Sequence, residues 1–305
     1  MSEEVNDTKE NKRYVKVLSN AVTYVANEPL ILAQYEAVHE GEFARLWPYD
    51  NNDDQYSKRM NRAVEHLGGP PDFYFLREDQ EAPPADNYPD AIMREAIAVF
   101  FRARKSIQRA HMFMAGASLL GEHPDLFERE AEANETLSRL AQDAFWEHAE
   151  AGYIRLHSFW DRIGQVLDFA FFNIRKFDQN GFTAVMDRIH SNAIPMDQRL
   201  KKSGCWKKLR TFQTSEKEDG LKWLLQRRNL IAHSLHLHPI ETNDEGVFAS
   251  QFNHLDTAHR EKLRPRTPEE EVSILLEQLS LASSLFPSFL DLVEFSPSRK
   301  KDPWL

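Results

Sequence analysis

The residues best suited to chemistry are an arginine and a histidine in one predicted helix. Arg228 and His233 are separated by four residues, and a polar residue, Asn229, follows the arginine directly. A histidine titrates near neutral pH and can move a proton, while an arginine can bind a phosphate through two donors. The pair therefore predicts proton transfer combined with anion binding.

Arg228 also interrupts the apolar pattern of its helix. Apolar residues recur at helical spacing on one side, at Leu221, Leu224, Leu225, Ile231, Ala232 and Leu235. Arg228 falls within this stripe, where loss of hydration costs several kcal/mol unless a partner or a polar cleft compensates. Ser215 and Glu218 match a capping box, which predicts that the helix begins directly after Ser215.

A purely structural role for these residues is the alternative interpretation. The spacing alone is weak evidence, because Arg227 lies at a similar distance from His233. In this interpretation Arg228 pairs with a core carboxylate such as Asp161 or Asp168, and His233 lies at the rim without a chemical role.

A basic segment leads into the predicted helix. Residues 199–228 contain ten basic and three acidic residues, in a chain whose net charge is −10. Such a local concentration of positive charge favours binding to phosphates. We therefore predict RNA contacts at Lys207, Lys208, Arg210, Lys222 and Arg227. Trp206 and Phe212 could stack on bases there, and a solvated connection without specific contacts is the alternative.

Composition limits the class of protein. The chain has 305 residues, of which 41% are hydrophobic, so it can bury a core. Its single cysteine, Cys205, predicts a cytoplasmic protein without disulfides. The polar N-terminus lacks a signal peptide and the apolar runs are short, so we predict no membrane contact. His233, His236 and His238 fit no familiar zinc spacing, and we predict neither a metal nor another cofactor.

Helices dominate the predicted organisation. The acidic, proline-rich segment 78–90 places a soft boundary near residue 90. Residues 1–90 are predicted to form an N-terminal α+β elaboration, because the β-branched stretch 14–25 favours a strand. Residues 91–295 are predicted to form a mainly α, up-and-down helical bundle, and residues 296–305 a loose tail.

Long helices are predicted within this bundle. Helical periodicity covers residues 91–120 and 125–177, and Gly152 either separates two helices or lies within one. The final helix is expected to start with Thr267 as its N-cap and to be interrupted by Pro287.

The motif and its setting resemble the HEPN superfamily. In that family an arginine, usually followed by a polar residue, precedes a histidine by four to six residues late in a helical bundle, as in Arg228-Asn229-Leu230-Ile231-Ala232-His233. The resemblance covers residues 91–295 and does not reach residues 1–90. It implies metal-independent RNA cleavage at a composite site between two such domains, with Arg228 on the scissile phosphate and His233 in proton transfer. Asn229 would orient His233 or contact the substrate.

The resemblance also implies partners and a setting. It implies a homodimer, RNA as substrate, and a toxin–antitoxin or phage-defence system with a possible inhibitory partner protein. On a helical wheel Arg228 and His233 lie about 140° apart, which favours completion of the site by a second subunit. The alternative function is a catalytically inactive HEPN bundle that binds nucleotide, RNA or a partner protein.

Overall fold

The chain is described by a computed structural model over residues 2–46, 53–69, 88–123, 125, 131–175, 181–233 and 266–299. Within these residues every regular element is helical. The helices are α1 (Ser2–Val38), α2 (Asp53–His66), α3 (Tyr88–Glu122), α4 (Ala131–Phe172), α5 (Phe182–Arg188, continued by the π-helical turn Ile189–Ala193), α6 (Gln198–Lys202), α7 (Gly204–Thr214), α8 (Leu221–His233) and α9 (Pro268–Val293). The predicted helical bundle is confirmed.

The chain divides into two compact units, Met1–Phe43 and Ala44–Leu305. Helix α1 lies in the first unit, and α2 to α9 lie in the second. Helix α2 belongs with the bundle because Arg59 forms an ion pair with Asp291 of α9. The predicted boundary near residue 90 does not coincide with this division, and residues 78–87 of the predicted linker lie outside the described part of the chain.

Helix α1 replaces the strand predicted over residues 14–25. The predicted strand is wrong, and the α+β elaboration is not supported, because the described residues among 1–90 are helical and include no strand. Valine and tyrosine favour strands by propensity, but propensity is a weaker guide than the period of the apolar positions. In α1 these positions do not alternate, and the helix passes through Pro29 without ending.

Helices α3 and α4 form an antiparallel pair at the centre of the second unit. Phe100 of α3 packs edge to face on Phe159 of α4, with 5.4 Å between ring centroids. Further along α3, Phe113 stacks on His148 at 5.6 Å. Because later residues of α3 meet earlier residues of α4, the two helices run in opposite directions.

Helix α4 is continuous across Gly152. A Cβ atom at this position would lie 3.2 Å from side-chain atoms of both Ile107 and Leu275. Glycine therefore lets α3 and α9 approach α4 closely at this level. Helix α4 also contacts α5 and α8, so it connects most of the bundle.

Helix α9 begins as the sequence predicts and ends later. The Thr267 hydroxyl accepts a hydrogen bond from the Glu270 N–H at 3.3 Å, and the Glu270 carboxylate accepts one from the Thr267 N–H at 3.0 Å. This capping box confirms the predicted start. The helix continues through Pro287, because the neighbouring Phe286 and Phe289 are fully buried and their packing outweighs the lost hydrogen bond.

Helix α9 is also, among the described residues, the one helix long and apolar enough to cross a membrane. Over half of its most apolar 18-residue window is buried in the protein. Packing against α2, α3, α4 and α7 accounts for this apolar composition.

The segment after α9 is anchored as far as Arg299. The guanidinium of Arg299 donates a hydrogen bond of 2.6 Å to the Phe169 carbonyl and lies 4.2 Å from the centre of the Phe169 ring. Its backbone N–H donates to the His66 carbonyl at 2.7 Å. The prediction of a loose tail is therefore wrong for residues 296–299, and residues 300–305 lie outside the described part.

Candidate functional site

Helix α8 begins later than the capping pattern predicts. Ser215 Oγ accepts a hydrogen bond from the Lys217 N–H at 3.3 Å and donates one to the Asp219 carboxylate at 3.1 Å. Ser215 therefore organises the turn after α7, and the predicted capping box with Glu218 is wrong. The turn ends at Gly220. A glycine is required at this position because a Cβ atom there would clash with the Ser215 carbonyl oxygen.

Arg227, rather than Arg228, is the arginine that lies in the core. Its side chain is 5% exposed and forms an ion pair with Glu271 of α9, whose side chain is 0% exposed. Tyr153 of α4 donates a 2.5 Å hydrogen bond to the other carboxylate oxygen of Glu271. The Arg227 guanidinium also lies 5.9 Å from the Tyr153 ring and 6.0 Å from the Trp223 ring. The carboxylate balances the buried charge and the two rings add cation–π contacts, while Nε of Arg227 has no hydrogen-bond partner among the described residues.

Burial shifts the titration of two members of this cluster. It raises the pKa of Tyr153 above its ordinary value, although the nearby Arg227 charge opposes the change. It also lowers the pKa of Arg227, but a guanidinium titrates so far above neutral pH that it stays charged. Tyr153 therefore remains a neutral donor beside a charged arginine.

Helix α9 holds the start of α8 as well. Gln278 donates a hydrogen bond to the Glu218 carbonyl in the turn before α8. The Glu218 carboxylate pairs with Arg266 at 2.5 Å, and Arg266 lies 5.7 Å from the Trp223 ring. Glu271 and Gln278 are seven residues apart, so they lie on one face of α9.

Sequence reasoning missed this face of α9, although a signal was present. Glu271 and Gln278 fall in line with the buried Leu275 of a helix whose start was correctly predicted. An acidic and an amide side chain within an apolar stripe indicate polar partners across the interface. From the sequence, the partner carboxylate is instead predicted on α4, at Asp161 or Asp168.

Arg228 lies at the edge of the buried face of α8. It is half-buried, and its Nη1 donates a 2.9 Å hydrogen bond to Oδ1 of Asn229, which is exposed. No carboxylate pairs with Arg228 among the residues that the structure describes. His233 is the last residue of α8, and its side chain lies outside the described part. The structure thus places Arg228 and Asn229 together at the rim, one to two turns before His233.

The two carboxylates assigned to Arg228 by the structural alternative have other partners. Asp161 lies 3.2 Å from His157, one turn earlier on α4. Asp168 pairs with Arg188 of α5 at 2.5 Å. A buried arginine–carboxylate pair does occur in α8, but it joins Arg227 to α9.

The sequence period predicts Arg228 in the core, whereas the structure buries Arg227. Leu221 and Leu224 are buried, whereas Leu225 is only half-buried. The buried residues Leu221, Leu224 and Arg227 thus span about 120° with Leu224 in the middle, and the contact with Glu271 decides that Arg227 is the buried arginine. The sequence period did not separate these two possibilities, because Leu221 and Leu224 belong to both.

The basic segment before α8 forms helices rather than a loose connection. In α7 both aromatic side chains are buried. The Trp206 ring is parallel to that of His190, with centroids 6.1 Å apart, and Phe212 packs on Trp160 at 4.5 Å. The prediction that Trp206 and Phe212 stack on bases is therefore wrong.

The lysines and the arginine of α7 differ in availability. Lys207 and Lys208 are exposed, so their charges face solvent. Arg210 is half-buried and forms an ion pair with Asp187. Among these three predicted RNA contacts, the two lysines are the more accessible.

The two basic residues predicted on α8 also have acidic partners. Lys222 pairs with Glu216 at 3.0 Å in an exposed contact that water can readily replace. Arg227 is held by Glu271 in the core, and an RNA contact would require separation of that pair. The prediction that Arg227 binds RNA is therefore wrong.

Comparisons with protein-family models, with curated proteins and with solved structures gave no match for this chain. The HEPN resemblance rests on the segment 228–233 and on its place late in a helical bundle.

Proposed function

We propose that this chain is a metal-independent endoribonuclease of HEPN type, with Arg228 and His233 as its catalytic residues. The observation that carries the proposal is the different environment of the two adjacent arginines. Arg227 is bound in the core, and this contact holds α8 in place. Arg228 lies at the rim, with Asn229 as its hydrogen-bond partner among the described residues. A rim guanidinium on a rigid helix is suited to bind an incoming phosphate.

The reaction that suits these residues is transesterification of RNA. The ribose 2′-oxygen attacks the neighbouring phosphorus, and the bond from phosphorus to the 5′-oxygen breaks. His233 moves the proton, either from the attacking 2′-hydroxyl or to the leaving 5′-oxygen. Arg228 stabilises the charge that develops on the phosphate. The products are a 2′,3′-cyclic phosphate and a 5′-hydroxyl, and no metal takes part.

A second copy of the chain completes the proposed site. On an ideal helix Arg228 and His233 lie about 140° apart, and five residues raise His233 by about 7.5 Å. Two α8 helices facing each other would bring the arginine of one copy towards the histidine of the other. The exposed Lys207 and Lys208 of α7 would add phosphate contacts that weaken as salt increases.

The test is incubation of the purified protein with RNA in the presence of EDTA. We expect cleavage that leaves 2′,3′-cyclic phosphate ends, and its loss in Arg228→Ala and His233→Ala. Arg199→Ala is the matched control, because it also removes one arginine charge but from an exposed pair with Asp197. If the wild type cuts no RNA, or if Arg228→Ala cuts as fast as the wild type, the proposal fails.

Binding without cleavage would favour the alternative, an inactive HEPN bundle. A filter-binding titration of the same RNA distinguishes the two functions. The catalytic proposal predicts that Arg228→Ala loses far more cleavage than binding, because the arginine acts chiefly on the transition state.

A further inference from the structure

Helix α1 carries apolar residues in a seven-residue repeat. From residue 14 to residue 25 the apolar positions form four pairs that are seven apart: Tyr14 and Ala21, Val15 and Val22, Val17 and Tyr24, Leu18 and Val25. At 100° per residue these eight side chains cover an arc of about 180°. We call these eight residues the α1 apolar face.

The α1 apolar face is exposed along its length. Its seven large side chains have between 47% and 68% of their surface exposed. The opposite side of the helix is polar, with Lys16, Ser19, Asn20, Thr23 and Asn27. Large contiguous apolar patches are rare on monomeric proteins and mark interaction sites. The sequence is thus amphipathic at a helical period, yet its apolar side is exposed.

The charge pattern of α1 limits the kind of partner. No acidic or basic residue lies between Val17 and Asn27. The cations Lys12, Arg13 and Lys16 lie only at the N-terminal end of this face, so most of it lacks the positive charge that nucleic acid requires near its phosphates. It also lacks the lysine- and arginine-rich polar side by which interfacial helices bind anionic membranes. The chemistry fits an uncharged, apolar partner surface.

The seven-residue repeat of residues 14–25 favours another helix of the same kind as that surface. Apolar side chains that recur every seven residues pack knobs into holes against a helix with the same repeat. Val15, Leu18, Val22 and Val25 follow the alternating spacing of three and four residues that defines such a seam. Two copies of one repeating, uncharged face are complementary to each other.

We propose that α1 is a self-association helix, whose apolar face packs against the same face of a second copy of this chain. The arc is wider than a two-stranded seam requires, so each helix can contact more than one copy. This inference does not depend on the proposed function, because it concerns the first compact unit alone.

The test is the molar mass of the full chain at micromolar concentration, measured by light scattering and sedimentation. The variant Val22→Glu/Val25→Glu places two charges in the α1 apolar face. We expect the wild type to exceed the mass of one chain, and the variant to associate at least a hundredfold more weakly. The matched control is Asn20→Glu/Asn27→Glu, which adds the same charge on the polar side and should assemble as the wild type does.

Three results would overturn the self-association. The first is a monomeric wild type, which is expected if α1 packs on its own chain. The second is a Val22→Glu/Val25→Glu variant that keeps the wild-type mass. The third is an Asn20→Glu/Asn27→Glu control that dissociates as much as the valine variant does. Arg228→Ala should keep the wild-type mass. A chain that assembles through α1 but cleaves no RNA would therefore refute the proposed function and leave this inference standing.

Discussion

Helices α8 and α1 depart from the usual distribution of polar and apolar side chains in opposite directions. In α8 the charged Arg227 is buried with Glu271, at a position where the neighbouring turns contribute leucine. In α1 a face of valine, leucine and tyrosine is exposed. The buried charge finds its partner within the chain. The exposed face, in our proposal, finds its partner in another copy.

The comparison shows that the same sequence period has different meanings in the two helices. Arg227 occupies a core position, where Glu271 balances its charge and Tyr153 donates a hydrogen bond to the same carboxylate. The valines of α1 also recur at helical spacing, but their side chains are 63–68% exposed. Burial, rather than residue type, separates a structural position from one that is available to a partner.

The largest expected effect comes from separating the buried ion pair. Arg227→Met or Glu271→Leu alone leaves one buried charge without its partner, which should lower the free energy of unfolding by about 3–5 kcal/mol. The double variant removes both charges and should recover most of that loss. Urea denaturation of the four proteins measures this cycle. Additive losses would show that the two residues do not stabilise the protein as a pair.

A second prediction compares one leucine from each helix. Leu224→Ala in α8 opens a cavity at a fully buried position and should cost about 2–5 kcal/mol. Leu18→Ala in α1 removes a side chain that is 47% exposed. In the dissociated chain it should cost less than about 0.5 kcal/mol. Equal losses measured at nanomolar concentration would mean that α1 packs on its own chain.

A smaller effect is expected at the hydroxyl that supports the ion pair. Tyr153→Phe removes the hydrogen bond to Glu271 and should cost about 1–3 kcal/mol near neutral pH. Unchanged stability in urea denaturation would show that the hydroxyl contributes nothing to the pair.

The same variant has a distinct pH dependence. Burial raises the pKa of Tyr153 in the folded protein, whereas the unfolded chain ionises near the ordinary value of about 10. The neutral hydroxyl therefore contributes stability that is fully present below about pH 10 and is lost as the pH rises further. The wild type should lose stability above that pH more steeply than Tyr153→Phe. Parallel slopes from pH 9 to 11 would contradict this assignment.

The sequence was sufficient to predict the helical bundle, but not which arginine of α8 is buried. The bundle was predictable because α3, α4 and α9 carry long apolar periodicities, and the Thr267 cap is specified by local side chains. The strand predicted in α1 failed because β-branched residues were given more weight than their period. In α8 the helix was predictable, but the choice between Arg227 and Arg228 depends on where Glu271 lies in space. No pattern within α8 contains that information.

The most direct test of the account compares the two adjacent arginines in one assay. Single-turnover RNA cleavage in EDTA is measured for the wild type, Arg228→Ala and the double variant Arg227→Met/Glu271→Leu. If Arg227 holds the helix and Arg228 acts on the phosphate, Arg228→Ala should lose about a hundredfold or more in rate. The double variant should remain within a few-fold of the wild type. A double variant that is folded but as inactive as Arg228→Ala, or an Arg228→Ala that cleaves at the wild-type rate, would contradict the account.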